Sequence, residues 1–527
     1  MKMFLWSYTD LFWHCPLSIM WSLVFLCAQK VVSDHASTCR ALEFIPKELY
    51  PVLFKASFLG RKTLVLQDLV KRWPFPVLSL QKLLQSCKHC DCLPIKEKSS
   101  KLCVQAVILG VLAYLHQVMA GEDRKQQLRV LNMVGLQDDN LEQDPESMSL
   151  WSQTVTLSKA CVDISQRHSE GANPSSKRRK GARSTLAATL APGCQVYVEV
   201  HMDLFVNSTS STILREALQV SSSSPLRLRC RDFRAEELSI RSTLGLLELL
   251  SPTSIRQVDL RFNNLGLPGL NVLLPFLTKF TSLLSLKLPY NNVDVRRLSV
   301  EMEASLQNFA SQLGKLQSLK ELNLGSSRLS GRLRQLLGGL QKPLESLELA
   351  FCYLLPSDLT FLSQSLHASS LKKLDLSGNN LCEPLLQPFQ LLLKEAAGSL
   401  LHLDIMECKL MDSHLGALLP MLSCCTHLRY LGIFCNPIST RGLKTLLQNT
   451  LALPELRLII YPYPVDCYSE SLPWPTSSSS FLDSSFDQEK LSRVHAELQQ
   501  LLAQAQRTDV TWSTDMYRHK TLDYLSL

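Results

Sequence analysis

Leucine and other aliphatic residues recur at fixed offsets along residues 255 to 438. The template L-x-x-L-x-L-x-x-N/C-x-L fits seven consecutive segments, with Ser327 at the Asn/Cys position in one of them. These segments begin at Ile255, Leu283, Leu319, Leu344, Leu371, Leu400 and Leu428. Successive starts lie 25 to 29 residues apart, except for one interval of 36 residues that contains an insertion around 294–304. Self-similarity at such a period indicates a protein built from stacked repeats.

Each repeat combines a short strand with a helix. The alternating L-x-L stretch predicts a strand whose leucines face inward, and the Asn or Cys can satisfy backbone groups inside the bend. The remainder of a unit, as in 332–340 or 442–450, has helical spacing. Stacked units bury each other's apolar faces. The predicted fold class is α/β: a leucine-rich-repeat horseshoe, which is a solenoid with a parallel sheet and outer helices, with an N-terminal helical cap.

The chain outside the repeats has a different pattern. The spacing predicts cap helices over 46–58, 63–70, 79–86 and 104–118, and Leu128, Leu131 and Met133 predict an isolated early strand. The predicted organisation is a leader outside the fold (1–19), a helical cap (20–125), a first strand with its connection (126–164), a basic flexible linker (165–191), the solenoid (192–468), a polar connection (469–487), and a C-terminal capping helix and tail (488–527).

Composition narrows the class of protein. The chain has 527 residues, 46% hydrophobic and 19% charged, and a net charge of +8. This charge is too mild to indicate nucleic-acid binding. Most of the 17 cysteines stand singly in apolar runs, which is typical of reduced thiols and predicts residence in the cytoplasm. Beyond the first 28 residues, no stretch reaches the roughly 18 uninterrupted apolar residues that favour a membrane span, so no membrane partner is expected.

The apolar segment 11–28 has two interpretations. It could be a signal peptide, but Lys2 is offset by Asp10, and polar residues interrupt the run. A buried first helix behind a dispensable leader is favoured, with Met20 as an alternative start.

Enzyme signatures are missing from the sequence. It contains no G-x-S-x-G, P-loop, H-E-x-x-H or Rossmann fingerprint, so neither an enzyme nor a cofactor is predicted. Histidines of the repeats, such as His402, are interpreted as surface or turn residues. The cluster Cys87-Lys-His-Cys90-Asp-Cys92 has zinc-like spacing but an incomplete ligand set. Reduced cysteines are the favoured interpretation, and no metal site is predicted.

Two short patterns near the N-terminus suggest partner-binding helices. Ser22 and Leu23 are followed by Cys27 and Val31, and the last three share one stripe of a helix. The second pattern consists of Ile45, Pro46, Leu49 and Leu53, with Pro46 expected in the first turn of a helix. For both patterns, the alternative interpretation is an ordinary core face.

The side chains between the strand leucines should line the inner wall of the solenoid. Four of the seven residues between the second and third leucines are acidic, and aromatic residues follow close behind. Aromatic residues among charges are typical of protein-binding surfaces. A basic segment of a partner is therefore predicted to bind Asp259, Arg261, Phe262, Tyr290, Glu348, Phe351, Asp375, Asp404 and Phe434.

The two N-terminal patterns resemble the BC box and the cullin-2 box of receptors for elongin–cullin ubiquitin ligases, with every defined position matched. From about Met20 onward, the chain resembles the PRAME family. Segments that carry this resemblance are Pro46-Lys-Glu-Leu-Tyr-Pro-Val-Leu-Phe54, Trp73-Pro-Phe75, Leu128-Arg-Val-Leu131, Ser330-Gly-Arg-Leu-Arg-Gln-Leu-Leu337, Pro343-Leu-Glu-Ser-Leu347 and Tyr461-Pro-Tyr-Pro464.

The resemblance implies a substrate receptor that binds elongin B/C through Ser22, Leu23, Cys27 and Val31, and cullin-2 through Ile45, Pro46, Leu49 and Leu53. It also implies negative regulation of Toll-like-receptor NF-κB signalling through an IκB kinase subunit. The alternative is a stoichiometric inhibitor of kinase complex assembly with no ligase role. The basic run Lys177, Arg178, Arg179 and Lys180 is a candidate nuclear signal or a solvated charge run.

Overall fold

The computed structural model describes residues 23–84, 100–120, 127–136, 147–172, 197–296, 299–468 and 487–515. Ser22, the cluster 87–92 and the basic run 177–180 lie outside these residues. The chain divides into two compact units, whose described residues fall within 23–231 and 232–515.

The first unit contains eight helices and four strands among its described residues. The helices are α1 (Leu23–Val31), α2 (His35–Ala41), α3 (Tyr50–Leu59), α4 (Thr63–Lys71), α5 (Leu80–Leu84), α6 (Lys101–Met119), α7 (Leu150–Ala172) and α8 (Ser211–Ser221). The strands are β1 (Val77–Ser79), β2 (Val130–Asn132), β3 (Val198–Val206) and β4 (Leu226–Ala235), and the last residues of β4 belong to the second unit. Strands β1, β2 and β3 are parallel neighbours, with Leu78, Leu131 and Val200 in register.

Three features of this unit differ from the sequence prediction. Strand β1 lies within the predicted helical cap (20–125), directly before the helix predicted over 79–86, so parallel pairing begins earlier than expected. Pro46 precedes a 3-10 turn (Lys47–Leu49), and α3 begins only at Tyr50, with Pro51 in its first turn. Helix α7 continues to Ala172, into the range predicted to be a linker (165–191).

Helix α6 is the apolar centre of this unit. Among the described residues, it alone has the length and composition that a membrane span requires, yet half of its apolar window is buried inside the protein. A Cβ atom at Gly110 would lie 2.7 Å from the Cβ of Val70, so α6 and α4 pack in close contact. The core helix of a globular protein passes the same test of length and composition, so α6 is weak support for a membrane span.

The second unit repeats a strand and a helix. After the end of β4, its strands are β5 (Gln257–Asp259), β6 (Ser285–Lys287), β7 (Glu321–Asn323), β8 (Ser346–Glu348), β9 (Lys373–Asp375), β10 (His402–Asp404), β11 (Tyr430–Gly432), β12 (Leu458–Ile460) and β13 (Thr511–Ser513). Its helices are α9 (Ile240–Leu247), α10 (Gly266–Leu277), α11 (Val300–Leu313), α12 (Leu333–Leu337), α13 (Pro356–Gln364), α14 (Leu386–Ala396), α15 (Asp412–Ser423), α16 (Thr440–Thr450) and α17 (Gln488–Gln504).

Every strand from β5 to β13 is parallel to the next, in chain order and without a register shift. The central leucines of these strands, such as Leu286 and Leu374, are fully buried. The α/β leucine-rich-repeat solenoid predicted from the sequence is confirmed. Strand β13, which pairs with β12 and follows the predicted helix α17, is not predicted from the sequence.

Where the template position holds Asn or Cys, its side chain closes the turn from inside. The buried Asn379 donates from Nδ2 to the carbonyl of Leu349 in the preceding repeat at 2.9 Å and to that of Leu376 at 2.8 Å. At the same position, the thiol of Cys352 donates to the carbonyl of Leu324 at 3.3 Å. These bonds satisfy backbone groups that would otherwise be buried unpaired.

Candidate protein-binding surfaces

Helix α1 in the first unit is apolar on two sides, and only one of them packs against the protein. Phe25, Ala28 and Val32 are buried, whereas the stripe predicted to bind elongin is exposed. Leu23 is 75% exposed and Val31 is 40% exposed, and the thiol-bearing Cys27 between them is also exposed. The alternative interpretation of this stripe was an ordinary core face. Within the part of the chain that the structure describes, the stripe faces outward and does not form one.

The second N-terminal pattern is split between surface and core. Pro46 is exposed and Ile45 is half-buried, while Leu49 is 40% exposed at the end of the 3-10 turn. Leu53 is buried in α3, on the face that packs inward. Leu53 therefore holds the helix in place and is not available to a partner, which corrects its assignment as a binding residue.

Large aromatic side chains lie at the turns that follow the strands of the second unit. We call the group Phe262, Tyr290, Phe351 and Tyr353 the aromatic turn surface, and all four are exposed. The rings of Phe262 and Tyr290, from adjacent repeats, are stacked with centroids 4.6 Å apart and an interplanar angle of 17°. Tyr353 was not among the predicted residues. The sequence feature that could have identified Tyr353 is its place two residues after Phe351, in the same turn.

The backbone at these four residues is strained. Each has a positive φ, between 54° and 59°, which is unfavourable for a bulky side chain. In the next repeat the position equivalent to Phe351 is Gly378, and a Cβ atom there would lie 2.2 Å from Cδ1 of Phe351. The Phe351 ring therefore lies directly on Gly378. Equivalent turn residues of other repeats, such as Glu407 and Cys435, also have positive φ, so this conformation belongs to the repeat turn.

The aromatic turn surface borders a cavity of ≈ 310 Å³, which we call the turn cavity. It is lined by Tyr290, Asn292, Val293, Ser326, Arg328, Phe351 and Tyr353. Beside it, Asp294 accepts from Arg296 at 2.8 Å and from Arg328 at 3.4 Å. The hydrogen bonds from Arg296 and then Arg328 lower the pKa of Asp294 to about 2. The cavity thus combines aromatic walls with a permanently charged polar edge, as pockets for a partner's anchor side chain do.

The strands themselves carry charges that pair across neighbouring strands. Lys287 contacts Glu321 at 3.2 Å and Lys373 contacts Glu348 at 3.0 Å. Burial opposes ionisation of Glu348, but Lys373 and Lys287 hold its pKa below the usual value. The predicted acidic residue Glu348 therefore has a partner within the protein, on the neighbouring strand β9.

Two more of the predicted acidic residues are paired, each with a residue two positions away in its own repeat. Asp259 is buried and binds the guanidinium of Arg261, with Nη2 and Oδ2 2.6 Å apart. Asp404 is buried and bonds to Nε2 of His402 at 2.6 Å. The His402 ring stacks on Tyr430 with centroids 3.9 Å apart. His402 is therefore a buried strand residue, and its interpretation as a surface or turn residue is wrong.

Asp375 differs from the other predicted carboxylates. Its Oδ1 accepts from the backbone N–H of Ser377 at 2.9 Å. Burial, and then the neighbouring carboxylates of Asp404 and Glu348, raise the pKa of Asp375 to about 7. A cationic group of a partner would relieve this repulsion, so Asp375 is the predicted residue that best fits a basic ligand.

Phe434 was predicted to line the binding face, and this prediction is wrong. Phe434 is 5% exposed and forms a core cluster with Tyr430 and Ile460. It stands two residues before Asn436, a position equivalent to Arg261, whereas the exposed Phe262 stands directly before Asn263. The one-residue difference places its side chain against Tyr463, with ring centroids 5.9 Å apart.

Comparison with known proteins places this architecture in a family. Residues 21–140 match the PRAME N-terminal domain, and residues 196–524 match the PRAME C-terminal domain. Leucine-rich repeat-containing protein 14 of Xenopus laevis is 65% identical over 513 residues, which cover 96% of this chain and 100% of that protein. The Homo sapiens protein of the same name is 49% identical over 513 residues, with the same coverage of both chains. PRAME family member 12 of Homo sapiens is 31% identical over 454 residues, 85% of each chain.

Solved structures similar to this chain are more distant. The Rad7 and Elc1 complex in yeast is 13% identical, covers 86% of this chain and 97% of that chain, and has a TM-score of 0.37. The leucine-rich repeat-containing protein LegL7 of Legionella pneumophila is 18% identical, covers 49% of this chain and 81% of that chain, and has a TM-score of 0.35. Similarity at this level carries no functional inference. The two matched domains and the near-full-length relatives show the family: this chain belongs to the PRAME family of leucine-rich-repeat proteins.

Proposed function

We propose that this repeat scaffold is the substrate-recognition subunit of a cullin-2/elongin ubiquitin ligase and has no catalytic activity of its own. In this proposal α1 binds elongin B/C, the segment around Pro46 and Leu49 binds cullin-2, and the second unit selects the substrate. We also propose that it dampens Toll-like-receptor NF-κB signalling by binding an IκB kinase subunit. Its site of action would be the cytoplasm, and also the nucleus if the run from Lys177 to Lys180 is a localisation signal.

The exposed stripe of α1 is the observation that carries the ligase proposal. A helix that only packs on a core has a polar outer face, but here Leu23, Cys27 and Val31 face outward. Val24 and Leu26 are also exposed, so the outer side of the helix is largely apolar. Burial of one leucine side chain in a partner's groove would contribute about 1.5–3 kcal/mol. A helix that docks its apolar stripe in a groove is a recurrent mode of recognition.

The aromatic turn surface supports the assignment of substrate binding to the second unit. Exposed aromatic residues beside a pocket are enriched among the residues that dominate binding energy. The turn cavity would receive an anchor side chain, while Asp375 would pair with a basic residue of the bound segment. The kinase subunit and the ligase substrate are both candidates for this surface.

Leu23→Asp tests the ligase proposal. The full chain would be expressed with an affinity tag, and the recovery of elongin C and cullin-2 measured by quantitative mass spectrometry. A charge in the centre of an apolar interface costs at least about 2 kcal/mol, so recovery should fall roughly 30-fold. Gln29→Asp is the matched control because Gln29 is exposed on the same helix, outside the stripe, and the substitution introduces the same acidic residue.

Pro46→Ala and Leu49→Asp test the cullin-2 contact separately. Each should reduce recovery of cullin-2 while elongin C is retained. Leu53 is not a useful test position because its substitution would disturb the core of α3. Unchanged recovery of cullin-2 and elongin C in Leu23→Asp, Pro46→Ala and Leu49→Asp would contradict the ligase proposal.

The alternative function, a stoichiometric inhibitor of kinase complex assembly, is favoured by one observation: the aromatic turn surface offers an interface that does not involve α1. Tyr290→Ala combined with Phe351→Ala should abolish co-purification of the kinase subunit and leave that of elongin C unchanged. If Leu23→Asp loses elongin C and still suppresses NF-κB reporter activity, the inhibitor function stands without the ligase.

A further inference from the structure

Three side chains of the first unit that differ in chemistry meet at one point. Nε2 of His35 lies 2.7 Å from Oδ2 of Asp68 and 3.1 Å from Sγ of Cys39. Sγ of Cys39 in turn lies 2.9 Å from Oδ2 of Asp68. Among the described residues, this is the one group of His, Cys, Asp or Glu side chains whose ligand atoms all lie within 4.8 Å of one another.

The arrangement is unlike a catalytic relay. In a Cys-His-Asp relay, the carboxylate holds one ring nitrogen and the thiol approaches the other. Here the thiol and the carboxylate both approach Nε2 of His35, and they also contact each other. Three donor atoms that face a common point are what a metal ion requires.

We propose that His35, Cys39 and Asp68 bind a zinc ion. A nitrogen, a thiolate sulfur and a carboxylate oxygen are the three donor types that zinc uses in proteins. A fourth ligand can come from water because the side chains of His35 and Asp68 are 43% and 30% exposed. Coordination replaces the thiol proton of Cys39, so binding releases one proton to solvent.

The local fold explains why the donors converge. Asp34 caps α2 by accepting from the backbone N–H of Ser37 at 2.8 Å, which fixes the start of the helix just before His35. His35 and Cys39 are four residues apart, so they point to the same side of α2. Asp68 completes the group from the middle of α4.

The geometry needs little adjustment. From zinc bond lengths of about 2.0–2.3 Å, tetrahedral ligands lie about 3.3–3.6 Å apart. Each of the three observed distances is shorter than this by roughly half an ångström, as expected for donors held together by protons. Small side-chain rotations would open the group to admit the ion.

The site would join α2 to α4. Because α2 lies in sequence between α1 and Pro46, the ion would fix the segment that carries both box-like patterns. The zinc site is argued from its own geometry and does not require that these patterns bind elongin or cullin-2.

Zinc binding can be measured directly on the full chain. The reduced, metal-stripped protein would be titrated with Zn²⁺ against a chromophoric chelator, and bound zinc counted by mass spectrometry of the elements. All variants would carry Cys87→Ser, Cys90→Ser and Cys92→Ser, because that cluster also has zinc-like spacing. In this background one equivalent should bind, and His35→Gln, Cys39→Ser and Asp68→Asn should each weaken affinity at least about 10-fold, as loss of supporting metal contacts does.

One control variant and two further measurements separate coordination from folding. Cys424→Ser removes an exposed cysteine outside the cluster and should leave zinc affinity unchanged. With Co²⁺ in place of zinc, a thiolate-to-cobalt charge-transfer band should appear and should be lost specifically in Cys39→Ser. Without metal, the three ligand variants should melt within a few degrees of their background, and only the background should gain stability when zinc is added.

The proposal is overturned if the background protein binds no zinc, or if the three ligand variants bind it as tightly as Cys424→Ser does. It is also overturned if the cobalt band persists in Cys39→Ser, because the thiolate would then come from another residue. A variant that fails to fold is judged by the other two, since Asp68→Asn and His35→Gln keep a polar side chain of similar size at each position.

Discussion

The early and late repeats of the second unit use aromatic residues in opposite ways. In the repeats of β5, β6 and β8, Phe262, Tyr290 and Phe351 stand directly before the Asn or Cys of the turn and are exposed. In the repeats of β10 and β11, His402, Tyr430 and Phe434 are buried. The same template therefore builds an exposed aromatic surface in one half of the unit and additional core in the other.

The difference comes from position within the repeat. The residue before the Asn or Cys takes a positive φ, which turns its side chain out of the sheet. At this position the late repeats have Glu407 and Cys435. Their aromatic residues occur on the strands, as His402 and Tyr430 do, or two residues before the Asn, as Phe434 does. Counting backward from the Asn or Cys thus separates the exposed aromatic residues from the buried ones.

The largest expected effect comes from comparing the stability of Phe434→Ala with that of Phe262→Ala, which tests whether one ring is buried and the other exposed. Removal of the buried Phe434 ring should cost about 3–5 kcal/mol of unfolding free energy, whereas the exposed Phe262 should cost less than about 1 kcal/mol. Urea denaturation of both variants measures the difference. Equal losses of unfolding free energy would mean that the two rings have similar surroundings, and would contradict the contrast between an exposed Phe262 and a buried Phe434.

Gly378→Ala should have the next largest effect. Gly378 has a φ of 70°, and a new Cβ would overlap the Phe351 ring. Backbone strain and the displaced ring should together lower stability by about 3 kcal/mol and weaken binding at the turn cavity. Gly416→Ala is the matched control, since its Cβ would have no neighbour within 4 Å. In helix α15 that change should stabilise by about 0.5–1 kcal/mol. A neutral Gly378→Ala would show that Phe351 does not lie on Gly378 in solution.

Asp375→Asn tests the strand charges through their pH dependence. The pKa of Asp375 is raised to about 7, against about 3.9 in an unfolded chain. Between these values the folded protein holds the extra proton, so the contribution of Asp375 to stability falls as pH rises from about 4 to 7. Asn lacks this titration and can still accept from Ser377. At pH 8, Asp375→Asn should therefore be more stable than the parent by about 2–4 kcal/mol, and the gain should shrink toward pH 5.

Asp509→Asn is the control, because its effect on stability at pH 8 should have the opposite sign. Arg507 and Arg457 lower the pKa of Asp509, the hydrogen bond from Arg507 most of all. Its favourable contribution is present at neutral pH and is lost as pH falls through the lowered pKa. The variant should thus be slightly less stable than the parent at pH 8. An Asp375→Asn protein that is destabilised at pH 8 would show that Asp375 already has a cationic partner there.

The fold was predictable because a solenoid is set by local periodicity. Leu286, Leu322 and Leu347 align in neighbouring strands because each unit repeats the same spacing, and no distant pairing has to be found. Strands β1 and β13 were missed because they lie outside the regular units. They are recognised only when the exposed edge of a neighbouring strand pairs with them.

The binding surfaces were only partly predictable. The stripe of Leu23, Cys27 and Val31 followed from helical spacing, but spacing cannot tell which side of a helix packs. Four acidic residues on the strands indicated a basic ligand. Arg261 and His402 stand only two residues from Asp259 and Asp404 in the same repeat, whereas Lys373 reaches Glu348 only because their strands pair. His35 and Asp68 are 33 residues apart and meet through helix packing, which no local pattern records.

The smallest predicted effect concerns the stacked rings of Phe262 and Tyr290. A double-mutant cycle with Phe262→Ala and Tyr290→Ala should give a coupling energy of about 0.5–1.5 kcal/mol, toward the lower end because both rings are partly exposed. The cycle of Phe262→Ala with Phe434→Ala is the control. Their strands are six repeats apart, or roughly 29 Å at about 4.8 Å per strand, so those effects should add. Additivity in both cycles would mean that Phe262 and Tyr290 do not stack in solution. The aromatic turn surface would then be a set of independent side chains, and its preorganisation for a partner would have to come from the backbone alone.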